Sequence, residues 1–94
     1  MKLKSLVSCS LIALGALSLP ARAQVEIQWW HSMTAVNGEW VNDLAKDFNA
    51  SQKEYRIVPT FKGSYDESMT ASIAAFRAGN APNILQVFEV GTAT

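Results

Sequence analysis

Cysteine is nearly absent from these 94 residues: the single one, Cys9, sits in an uncharged run near the start. From residue 24 onward no disulfide, thiol nucleophile or zinc–cysteine site is available. Histidine also occurs once, at His31, and Asp66-Glu67 is the densest acidic pair, so the sequence offers no metal-binding cluster. Catalytic signatures are missing as well. There is no G-x-S-x-G elbow, no H-E-x-x-H and no G-x-x-x-x-G-K-[ST], and the loop from His31 to Gly38 lacks the G-x-G-x-x-G of a dinucleotide site. Low-complexity tracts, internal repeats and inter-domain linkers are absent too.

Charge is missing from Leu6 to Leu19, and this is informative. Lys2 and Lys4 precede that apolar run, and Pro20 with Ala21-Arg22-Ala23 closes it in the small-x-small pattern of a signal peptidase site. The run is shorter than the ~20 residues that a membrane-spanning helix needs. Residues 1–23 therefore read as a secretory signal peptide. Leu6-Val7-Ser8-Cys9 faintly resembles a lipoprotein box. Cleavage there would leave an apolar stretch on the mature chain, so Cys9 reads as filler of the signal. The expected product is a soluble periplasmic protein without direct membrane insertion.

Lys2, Lys4 and Arg22 leave with the signal, and the remaining 71 residues carry five basic against eight acidic side chains. A net charge of −3 argues against nucleic acid or an anionic membrane as partner.

Val25 to Trp30 alternates before two aromatics and predicts a strand. Val36, Trp40, Leu44 and Phe48, widened by Val41 and Ala45, predict an amphipathic helix over Val36 to Ala50. Trp29 and Trp40 are expected in the core, whereas Trp30 is placed either to pack or to stack on a ligand. Tyr55 to Lys62 reads as a second strand, with Pro59 marking an edge or a bulge. Ser64-Tyr65-Asp66-Glu67 is a capping box. The helix after it should run to about Ala78 with Met69, Ile73 and Phe76 inward, stopped by Gly79-Asn80 and Pro82. Ile84 to Phe88 completes the pattern as an apolar third strand. Strand-helix-strand-helix-strand predicts an α/β fold with a parallel sheet. At this size, with open sheet edges, residues 24–94 are expected to be one part of a larger α/β lobe.

Ligands of open α/β sheets bind beyond the C-terminal strand ends. That rule selects Trp30-His31-Ser32-Met33, Gly63-Ser64-Tyr65 and Glu89-Val90-Gly91-Thr92. Ser64 and Tyr65 open a helix, whose N–H groups favour an anion or a hydroxyl. Glu89 is suited to accept hydrogen bonds from hydroxyls. Each has a plain structural alternative: Tyr65 packing on the first helical turn, Glu89 as a solvated carboxylate or a cap, His31 as a hydrogen-bonded loop residue.

Those loops, with Asp47-Phe48-Asn49, Ile57-Val58-Pro59-Thr60, Lys62-Gly63, Ala74 to Pro82 and Gln86 to Thr94, resemble the extracellular solute-binding proteins of ATP-binding-cassette importers. Within that family the likeness is to the sn-glycerol-3-phosphate receptors. The resemblance implies the N-terminal βαβαβ part of one lobe of a two-lobe periplasmic-binding-protein fold, preceded by a signal peptide. It implies a binding protein and not an enzyme, without cofactor or metal, capturing glycerol-3-phosphate or a related polyol phosphate or glycerophosphodiester. Delivery would be to an inner-membrane ABC permease. Tyr65 and Glu89 match ligand-contacting positions of the family. Phe61 and Phe88 stand where tyrosine is expected in many relatives, so the rings are kept and the hydroxyls are not. The alternatives are a sugar receptor of the same fold, a secreted α/β hydrolase or transferase completed by residues not given, and a truncated chain that binds nothing.

Overall fold

A computed structural model of the chain describes Gly15 and residues 23–93. The signal peptide reading, Cys9 included, lies outside those residues apart from Gly15 and Ala23. The element order is β1 (Val25–His31), α1 (Ala35–Ser51), β2 (Tyr55–Phe61), α2 (Tyr65–Arg77), β3 (Ile84–Leu85) and a closing 3₁₀ turn, Glu89–Ala93. The fold is α/β: three parallel strands in the order β2-β1-β3, with two helices. No helix among the described residues is long and apolar enough to cross a membrane.

β1 lies in the centre and pairs with β2 along its whole length, from Val25↔Tyr55 to His31↔Phe61. Pro59 sits in that register opposite Trp29, so it marks an edge strand and not a bulge. The first crossover steps from β1 to one side, and the second returns past β1 to the other. Right-handed crossovers then assign α1 and α2 to opposite faces and leave a switch point between β1 and β3.

The helices differ from the periodicity in which residues they bury. On α1 the buried side chains are Val41 and Ala45, while Val36, Trp40, Leu44 and Phe48 are exposed. Three strands are too narrow to cover the whole apolar stripe, and the small residues take the close contact. Trp40, expected in the core, is 62% exposed. On α2 the buried residues are Ser68 and Ser72, with Met69 half-buried, whereas Ile73 and Phe76 are exposed. The serines are short enough to let the helix approach, and the Ser72 hydroxyl is satisfied by the Met69 carbonyl at 2.8 Å. Ile73 and Phe76 line an apolar groove of about 470 Å³ with Pro82 and Leu85.

Helix boundaries follow local chemistry. Ser64 Oγ accepts from the Glu67 N–H at 3.2 Å, the first half of the capping box. Gly79 at φ +77° ends α2, with Asn80 N–H donating to the Ala75 carbonyl at 2.8 Å and Gly79 N–H to that of Phe76 at 3.1 Å. Those two bonds form a Schellman motif.

The third strand is shorter than its apolar run predicts, ending at Leu85 in place of Phe88. Side chains take over where the ladder stops. Asn83 Oδ1 accepts from Gln28 N–H at 2.8 Å, and Gln86 Oε1 from Ser32 N–H at 2.9 Å. The Gln86 N–H still reaches the Trp30 carbonyl at 2.9 Å, after which the chain leaves the sheet.

Candidate functional site

The C-terminal ends of the three strands gather the loops singled out above at one edge of the sheet. β1 ends at His31, which is 3% exposed and lies edge-on to Trp29 at 6.2 Å and tilted against Phe61 at 6.1 Å between ring centroids. Its Nδ1 accepts from the Met33 N–H at 3.2 Å, so the ring proton belongs on Nε2. Burial removes water from the cationic form and lowers the imidazole pKa below the ordinary histidine value. His31 thus shapes the turn as a neutral acceptor, the structural role weighed for it above. The following turn is strained: Ala35 is the one non-glycine residue at positive φ, +48°, among the described residues.

β2 delivers Lys62 and Gly63 to the same edge. The Lys62 ammonium lies 3.9 Å from the centre of the Trp30 ring, a contact worth about 0.5–1 kcal/mol at exposed sites. One face of Trp30 is therefore occupied by a cation. Gly63 has φ +88°, and a Cβ there would collide with the Glu67 carboxylate. That carboxylate, with Asp66 beside it in the first turn of α2, makes the helix start acidic. An incoming anion meets like charge here, so of the two ligand groups expected at Ser64-Tyr65 the hydroxyl suits the geometry better.

Tyr65 does not pack on its own helical turn alone. Its half-buried ring lies against Phe88, 5.4 Å between centroids and tilted by 43°. The contact joins the start of α2 to the exit of β3, and Glu89 is the next residue. Glu89 itself is exposed and opens the 3₁₀ turn, where Thr92 Oγ1 donates to its carbonyl at 2.8 Å. Tyr65 thereby meets the residue before Glu89, and the Gln86–Ser32 bond joins the same segment to the loop after β1. Sequence reasoning placed Gln86 inside the third strand and missed its side-chain bond to the loop after β1. The apolar groove under Ile73 and Phe76 lies towards the other end of α2 and reaches this edge only through Leu85. Among the described residues no group of three or more His, Cys, Asp or Glu could hold a metal ion.

The described residues thus form a small parallel α/β sheet with a switch point, a tyrosine at a helix start and an exposed carboxylate past a strand exit. No family model matches the chain. Named relatives do. The chain is 57% identical over 72 residues to the sn-glycerol-3-phosphate-binding periplasmic protein UgpB of Brucella abortus (strain 2308), covering 77% of the chain and 17% of that protein. It is 54% identical over 88 residues to the protein of the same name from Escherichia coli O1:K1 / APEC, covering 93% of the chain and 20% of the relative. The chain thus spans about a fifth of the length of the curated relatives it matches. The resemblance read from the loops extends along nearly the whole sequence.

Proposed function

We propose that this chain is the opening part of the periplasmic solute-binding component of an ABC importer, and that its ligand is sn-glycerol-3-phosphate or a glycerophosphodiester. The observation that carries the reading is the contact of Tyr65 with Phe88, the residue before Glu89, at the C-terminal edge of the sheet, in a chain 54–57% identical to proteins named for that ligand. Residues 1–23 are the export signal in this reading, and 24–94 contribute to one lobe. The protein binds and releases its solute without chemistry, and hands it to an inner-membrane permease.

The roles follow from charge. Glu89 repels a phosphate and accepts hydrogen bonds from glycerol hydroxyls; Tyr65 donates to a hydroxyl or to the phosphate. With Asp66 and Glu67 also acidic, this part holds the polyol end. The cationic groups for the phosphate then belong to the rest of the receptor. Glu89 is open to solvent here and becomes buried when a second lobe closes over the ligand by hinge motion.

Calorimetry on the full-length receptor tests the assignment. Glu89→Ala is expected to weaken glycerol-3-phosphate binding by ~2–5 kcal/mol, the cost of truncating one partner of a buried charged hydrogen bond. An unchanged affinity removes Glu89 from the site.

A further inference from the structure

The outer edge of β2 shows how this sheet is terminated. Val25 N–H donates to the Glu54 carbonyl at 2.9 Å and Lys62 N–H to the His31 carbonyl at 2.9 Å, so even-numbered residues of this strand turn their backbone groups to β1. Tyr55, Ile57, Pro59 and Phe61 therefore present theirs to the outside. A strand rich in β-branched and aromatic residues with a free edge is an invitation to strand addition.

Two of those four positions are capped by side chains, and a third lacks a donor. The Gln52 carboxamide accepts from Tyr55 N–H at 2.7 Å and donates to the Tyr55 carbonyl at 2.6 Å. The Asn49 carboxamide does the same for Ile57, accepting at 2.7 Å and donating at 2.9 Å. Pro59 has no N–H to offer. A primary amide that donates and accepts at one residue supplies the same pair of bonds as a residue of an antiparallel neighbour. Two side chains from the last turn of α1 and its C-cap thus occupy the places of a fourth strand.

We propose that Gln52, Asn49 and Pro59 form a seal whose role is to keep a second copy of this chain from adding its β2 antiparallel to this one. The second copy is the fitting partner because an edge that pairs with itself across a two-fold axis needs no other protein, and every exported molecule carries the same strand. The seal starts at the Tyr55 end of β2, opposite the Lys62 end that faces the ligand edge, so it is separable from solute binding.

The test uses the full-length mature receptor carrying Pro59→Val, Asn49→Ala and Gln52→Ala together, and in parallel the double variant Pro59→Val/Gln52→Ala, which keeps the Asn49 bonds. Light scattering, thermal melting and hydrogen exchange are read on both. The expected result is a shift from monomer to dimer or larger species in a protein that still melts cooperatively, with the Tyr55 amide protected in the associated form of both variants and the Ile57 amide in that of the triple variant. A folded variant that stays monomeric, triple or double, overturns the proposal. So does association that accompanies loss of the cooperative melt, since unfolding and not strand addition would then be the cause.

Discussion

The two strands that flank β1 are held in opposite ways. β2 pairs over seven residues and has its outer edge capped at Tyr55 by Gln52 and at Ile57 by Asn49. β3 pairs over two, and owes its place to the side chains of Asn83 and Gln86 as much as to the ladder. The long strand is scaffold. The short one releases its chain early, which lets Phe88 turn back onto Tyr65 and leaves Glu89 free at the edge. Side-chain hydrogen bonds place this backbone without committing it to the sheet.

If this division is right, perturbing the two strands will produce different losses. Asn49→Ala removes both bonds to Ile57 and is expected to cost ~2 kcal/mol of stability, at about 1 kcal/mol for each net hydrogen bond, while leaving ligand affinity unchanged in denaturant melts and titrations run side by side. Gly63→Ala strains the turn that ends β2, since alanine disfavours φ +88° and its methyl displaces the Glu67 carboxylate. The expectation is a loss of about 1–2 kcal/mol with some weakening of binding, because Tyr65 follows two residues later. Gln86→Leu leaves the Ser32 N–H without its acceptor and should cost about 1 kcal/mol of stability. Its fractional effect on affinity should exceed that of Asn49→Ala. Equal affinities for the two variants would break the comparison.

The smallest expected effect concerns acid. His31 is buried neutral, with its pKa lowered by desolvation, so on acidification the unfolded chain takes up the proton before the native one. Its contribution is complete above the unfolded value of about 6.5 and is lost as pH falls through the lower native value. Between about pH 7 and pH 5 the melting midpoint should fall further in the parent than in His31→Gln. Identical slopes would place the sensitivity elsewhere.

Much of this was legible in the sequence. Alternation located β1 and β2, the capping box located the start of α2, Gly79 its end, and Pro59 the edge strand, each through local chemistry that acts within a few residues. The strand-exit rule selected Tyr65 and Glu89, of which the structure shows the first against Phe88 and the second exposed. What periodicity could not give was which apolar residues a three-stranded sheet has room to cover. Ile73 and Phe76 outrank Ser68 and Ser72 in hydrophobicity, yet the serines are the buried residues of α2. The bonds from Asn49 to Ile57 and from Gln86 to Ser32 span 8 and 54 residues, and no pattern in single-residue preference announces them.

The central claim is that the β3 exit belongs to a receptor for a polyol phosphate. It is tested most directly by titrating the full-length protein with sn-glycerol-3-phosphate, glycerophosphodiesters and maltose in a calorimeter. The expected result is saturable binding of glycerol-3-phosphate or a glycerophosphodiester and none of maltose. Binding of the oligosaccharide alone would contradict it.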